Sequence, residues 1–176
     1  MLVATPTLLD PNFRQTVVLL CEHGAGGAMG LVLNRPTTVP LFKIYPEAGK
    51  LHGWEDSVYV GGPVQTHALM ILYQGEPAPN AHPVLADVHL TGDPQLMETL
   101  DRFLGPERRV RFYQGYAGWV PGQLEMELSA GGWKLLPGDS NIIFQADPLR
   151  IWSTMVQPPG EAWQAYAEMP PDPRLN

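Results

Sequence analysis

The chain has 176 residues, 44% of them hydrophobic, with 18 glycines and 19 prolines. That length and apolar content suit one packed domain with many turns, and they exclude collagen, coiled coil, a helical bundle and a long disordered tail. Eleven Lys and Arg stand against 18 Asp and Glu, a net charge of −7, which opposes direct duplex DNA binding because that depends on clustered cations neutralising phosphates.

The predicted elements follow in chain order. Leu2–Ala4 is a short apolar strand stopped at Thr5-Pro6, where proline removes a ladder donor. Asp10-Pro11-Asn12 is turn chemistry. Residues 16–23 are β-branched and apolar, the glycine-rich residues 24–27 form a loop, and residues 29–33 are a second apolar run, so the three make a hairpin. Asn34-Arg35-Pro36 ends it. Residues 37–56 are mixed, with a short helix near Leu41 to Tyr45. Residues 58–60 are a strand broken by Gly61-Gly62-Pro63, residues 68–73 another strand, residues 75–83 a proline-rich loop, and residues 85–90 alternate weakly.

Asp93-Pro94 has the form of an N-cap with proline in the first turn. Leu96, Met97, Leu100, Phe103 and Leu104 then follow at helical spacing until Gly105-Pro106. Residues 109–113 are a strand. The basic cluster Arg108, Arg109 and Arg111 falls here and is expected at a solvated strand edge. Residues 115–119 read as a glycine loop leading past Pro121 into a short helix marked by Leu124 and Leu128. Residues 133–136 are a last strand. Asp147-Pro148 repeats the cap signal before a helix with Leu149, Ile151, Trp152, Met155 and Val156 as its apolar stripe. Strands and helices interleave without a βαβ period, so the class is α+β with a mostly antiparallel sheet. One domain is expected over 1–157, with a proline-rich tail, 158–176, on or near it.

The single cysteine, Cys21, rules out an intramolecular disulfide and fits a reducing compartment. Residues 1–6 lack a basic n-region, and the longest apolar run is far short of the ~20 residues of a membrane helix. A cytoplasmic protein, off the membrane, is therefore expected.

Strict alternation along residues 16–23 puts Val17, Leu19, Cys21 and His23 on one face. Cys21 and His23 would then be close enough to make an activated thiolate; Glu22, on the opposite face, is a further candidate. Equally, Cys21 is a small core residue among apolar neighbours. The five histidines, His23, His52, His67, His82 and His89, show no zinc-type spacing, so no metal and no cofactor are expected. The glycine-rich segments are candidate ligand contacts: Gly61, Gly62, Pro63 and Gln65 in one, and Gly115, Tyr116, Gly118, Trp119 and Gln123 in the other. In the second, free N–H groups at a strand-to-helix junction could hold an anion; otherwise its glycines serve turns.

Several separated blocks resemble the YqgE/AlgH family, also called UPF0301. They are Thr5-Pro6, Asp10-Pro11, Phe13, Val17-Val18, Cys21-Glu22-His23, Gly27-Ala28-Met29-Gly30-Leu31-Val32 and Asn34-Arg35-Pro36. Further on come Val58-Tyr59-Val60-Gly61-Gly62-Pro63-Val64-Gln65, Gly115-Tyr116-Ala117-Gly118-Trp119, Pro121-Gly122-Gln123-Leu124-Glu125, and Trp133 with Ile142-Ile143-Phe144, Leu149 and Trp152. The closing Asp172-Pro173 and Leu175-Asn176 also agree.

The resemblance implies one compact α+β domain whose branching sheet folds into a pseudo-barrel with a few flanking helices, in a cytosolic bacterial protein. It implies no established activity and supplies no catalytic residues. Its regulatory label, that of a transcriptional regulator, rests on a proposed role in controlling alginate production. Family members usually begin several residues earlier, which suggests an upstream start, and the proline-rich 76–83 loop is individual to this chain.

The first functional expectation is a non-enzymatic regulatory or interaction protein, binding a protein or small-molecule partner at the loops around residues 21–23, 61–65 and 115–123. The alternative is a thiol-dependent or hydrolytic enzyme with Cys21 as nucleophile and His23 as base. A third reading is a redox sensor that uses Cys21 oxidation. The oligomeric state is left open.

Overall fold

Ten strands pair into one sheet in the computed structural model, which describes residues 1–46 and 57–156. The apolar first strand, β1 (Leu2–Ala4), lies antiparallel between β2 (Val17–Gly24) and the last strand, β10 (Trp133–Leu135). β2 turns through Ala25-Gly26 into β3 (Gly27–Val32), with Gly24 paired to Gly27, so the hairpin turn is tighter than the predicted four-residue loop. β4 (Pro36–Pro40) leads into the predicted short helix α1 (Leu41–Ile44) and pairs with β5 (Ser57–Val60). β6 (Val64–Gln74) follows, then the hairpin β7 (His82–Leu85) and β8 (Val88–Thr91).

The long strand β9 (Val110–Trp119) is where the sheet branches. Along one edge it pairs with β6 from Val110 to Tyr116. Its other edge pairs in parallel with β5 at Tyr113 and Gln114, then antiparallel with β3 from Ala117 to Trp119. Every other pairing is antiparallel. The result is a curled half-barrel carrying α1, α2 (Gln123–Ser129), α3 (Ser140–Gln145) and α4 (Ile151–Val156), the α+β class that the sequence implied.

Side chains alternate across β6 and β9 and feed a core on each face. Leu72 and Tyr113 join the main core with β1, β2, β3 and α4. Ile71, Tyr73 and Phe112 join a second core with Leu41, Val58, Leu96, Met97 and Leu100. Burial on both faces explains why residues 71–73 and 111–113 are buried without a break.

Several predictions need correction. The helix expected after Asp93-Pro94 is two 3₁₀ turns, Pro94–Glu98 and Leu100–Arg102. The cap is as read, with Asp93 Oδ1 accepting from Gln95 N at 2.9 Å. The β-branched Thr99, at φ −123° and ψ 2°, breaks the run between them. Residues 115–119, read as a loop, are strand. Leu149, placed on an apolar stripe, is 70% exposed, because residues 148–150 are a turn ahead of the helix; Ile151, Trp152 and Val156 are buried. Arg111 is not at a solvated edge but buried, while Arg108 pairs with Asp101 at 2.8 Å and Arg109 with Glu107. β4, the separate strands β7 and β8, and α3 with its Asp139 cap were not predicted. The expected tail and part of the mixed 37–56 segment lie outside the described residues.

Candidate functional site

The β2–β3 hairpin carries a β-bulge. Leu20 pairs with Gly30 and Glu22 with Met29, which leaves Cys21 as the extra residue. Strict alternation therefore fails at the position where the Cys21–His23 pairing needed it. The Cys21 sulfur packs against the main core and its thiol donates to Leu19 O at 3.4 Å. Burial pushes the thiol pKa up to about 12, although a backbone hydrogen bond from Leu31 opposes this.

His23 continues outward from the bulge and is paired elsewhere. Its Nε2 lies 2.6 Å from Glu125 Oε1, with both side chains about half exposed. That hydrogen bond is the main cause holding the Glu125 carboxyl below its usual range. Glu22 is exposed.

His23, Ala28 and Trp119 are register partners across β2, β3 and β9, so their side chains share one face. α2 lies over that row. Glu125 reaches His23, while Glu127 accepts from the Trp119 indole N–H at 3.0 Å and from the Trp133 indole N–H at 2.7 Å. Gln123 ties the helix start together: its Oε1 accepts from Val120 N at 3.1 Å and its Nε2 donates to Glu127 Oε1 at 2.9 Å. Phe13 stacks on Trp119 at 5.8 Å and meets Trp133 edge-on at 5.7 Å.

The structure thus brings His23, Trp119 and Gln123 together from different predicted segments. Glu125, Glu127 and Trp133 complete the group. No short-range spacing signals them, because Glu127 serves two indoles on two different strands.

The other glycine candidates gather at the branch of the sheet. Gly115, at φ +67°, sits where β9 changes partner from β5 to β3. A Cβ there would come within 2.6 Å of Gly62 O, and one on Gly61 would come within 2.2 Å of Gly115 O. The space a side chain would take at these glycines is filled by the opposing backbone. Tyr116 packs on the main core and against Gly118, while Pro63 and Gln65 are exposed, Gln65 at φ 48°.

A separate cleft of about 210 Å³ opens at the other end of β9, lined by residues that include Gln74, Asp87, Glu107, Arg108 and Arg109. It contains none of the candidate residues. Among the described residues, no helix is long and apolar enough to cross a membrane, and no group of three His, Cys, Asp or Glu is placed to hold a metal.

Comparison with known proteins agrees with the resemblance read from the sequence. The family model DUF179, described as AlgH-like, matches residues 1–164. A UPF0301 protein of Chlorobium chlorochromatii is 34% identical over 178 residues, covering 100% of this chain and 93% of its own. A UPF0301 protein of Streptomyces coelicolor is 36% identical over 186 residues, with the same coverage. The solution structure of AlgH from Pseudomonas aeruginosa superposes with a TM-score of 0.68 at 35% identity, over 82% of this chain and 78% of that one. A crystal structure from Corynebacterium diphtheriae shares the fold at a TM-score of 0.76 and 21% identity, over 96% and 90%.

Proposed function

Since the chain belongs to the AlgH-like UPF0301 family, a family of uncharacterised proteins, we propose that it is a regulatory binding protein that engages a partner through the face built on α2. One observation carries this reading: His23 is drawn away from Cys21 into an exposed pair with Glu125. The polar pair is therefore presented outward rather than used to activate the thiol. Met126 on α2 and Val120 in the turn leading into it are each 67% exposed, so apolar and ionic groups lie together at a helix that Glu127 ties to the sheet. Rigid apolar anchors flanked by charge suit protein recognition. Cytoplasmic residence and regulation of transcription through a protein partner belong to the same proposal.

The thiol-enzyme alternative meets a specific obstacle. A nucleophilic cysteine needs a lowered pKa, and burial moves this one the other way. Affinity capture from a bacterial lysate, run in parallel with wild type and a Val120→Asp, Met126→Asp double variant, tests the binding reading. Both positions are exposed, so the variant should melt like wild type. A partner retained by wild type and lost by the variant is expected; equal retention by both contradicts the assignment of this face.

A further inference from the structure

Arg111 and Tyr113 stand two residues apart on β9 and share the face turned to the main core. Arg111 is only 8% exposed. Its guanidinium lies 4.8 Å from the centroid of the Tyr59 ring, and a single N–H group reaches Leu33 O, at 3.4 Å. Among the described residues, no carboxylate pairs with it. An arginine cannot shed its proton to escape burial, and a buried charge left without a partner is strongly unfavourable.

The neighbouring Tyr113 hydroxyl is fully buried and has no hydrogen-bond partner of normal geometry. Desolvation is the main cause raising its pKa, against the nearby Arg111 charge, so the phenol keeps its proton as a donor. The phenol oxygen faces the Arg111 guanidinium, and with Leu33 O it is all that the described residues offer the five N–H donors of the arginine.

The other orphaned buried atom, His89 Nδ1, differs. Its ring stacks on Tyr73 at 5.5 Å. Arg109 and Arg108 both face carboxylates. Arg111 is the buried cation whose counter-charge the described residues do not supply.

The geometry points to a binding site for a small monocarboxylate on Arg111 and the Tyr113 hydroxyl, entered past the Tyr59 ring. One cation balances one negative charge, and a dianion such as phosphate would leave a charge uncompensated in an apolar surround. A carboxylate also fits the planar fork of a guanidinium. Tyr59 is half-buried while Arg111 and Tyr113 are buried, so its ring is the part of this group nearest solvent. The site lies on β5 and β9, apart from the α2 face, and stands or falls independently of the partner-binding proposal.

The test titrates isotope-labelled full-length protein with sodium formate, and in parallel with sodium phosphate at equal ionic strength. It follows the Arg111 Nε–H resonance and the backbone amides of Leu33 and Tyr59. A saturable formate shift is expected, with phosphate weaker by tenfold or more. Arg111→Met should abolish the amide shifts. Such replacement of a buried ion by an apolar side chain is generally tolerated. Should that variant fail to fold, Tyr113→Phe removes only the hydroxyl and should weaken formate several-fold.

A crystal grown in bromide adds a direct view, since an anomalous peak is expected between the guanidinium and Tyr113 Oη. A formate response that never saturates overturns the proposal, as does unchanged formate binding in Tyr113→Phe. A lone water there without anomalous signal also overturns it, and so does a bromide peak with no saturable binding in solution, which would mark an adventitious ion only.

Discussion

Cys21 and His23 are adjacent in any strict alternation, yet one extra residue in β2 separates their chemistry. The bulge depends on the register of β3 against β2, which no local pattern reports. The apolar character of Val17, Val18 and Leu19 was legible; the failure of alternation at Cys21 was not. The His23–Glu125 pair gives a pH prediction at this scale. Glu125 has a depressed carboxyl pKa in the folded state, caused first by its hydrogen bond from His23. A depressed acid contributes stability that is present above its unfolded pKa and is lost as pH falls through the folded value. Because Glu125 is exposed, the effect is best read on the group itself. In His23→Ala, the Glu125 carboxyl resonance should titrate at a higher pH than in wild type, because the largest lowering contact is gone. A midpoint as low as in wild type would show that the imidazole is not the cause.

Strands were the most legible elements, because β-branched apolar runs between turn residues carry their own signal. The 3₁₀ turns were misread because 3.0 and 3.6 residues per turn are hard to separate over one or two turns. The stripe assigned to the last helix makes a sharper contrast. Trp152 is buried and its indole N–H donates to Ala4 O at 2.7 Å, fastening α4 to β1. Truncation of such a residue typically costs about 3–5 kcal/mol, so Trp152→Ala should lower the melting temperature by many degrees. Leu149→Ala should change stability by less than about 0.5 kcal/mol, as exposed positions do. Equal effects from the two variants would contradict the helix placement.

Glu127 is the corresponding fastener for α2. Glu127→Ala leaves two indole N–H groups and Gln123 without their acceptor, which should cost about 1–3 kcal/mol in chemical denaturation. It should also shift the fluorescence of Trp119 and Trp133, whereas an unchanged spectrum would place those indoles elsewhere.

At the scale of the whole molecule, the net charge of −7 and the fate of the one basic cluster act together. Arg108 and Arg109 are paired with carboxylates and Arg111 is turned inward, so the cluster offers no cationic stripe to a phosphate backbone. A gel shift at physiological salt should show no sequence-specific duplex binding; submicromolar specific binding would contradict this reading.

The α+β class was legible from the interleaving of elements. The branch at Gly115 was not, because a strand whose edge changes partner halfway looks, in sequence, like a strand followed by a loop. What separates a binding protein from a thiol enzyme is the state of one sulfur. The most direct measurement is therefore the rate of iodoacetamide alkylation of Cys21 in native protein from pH 5 to 9. The packed thiol, with its pKa pushed up to about 12, should react slowly throughout that range and rapidly once the chain is unfolded. Fast alkylation at pH 6, with an apparent pKa well below the ~8.5 of a free thiol, would contradict the account and make Cys21 the nucleophile.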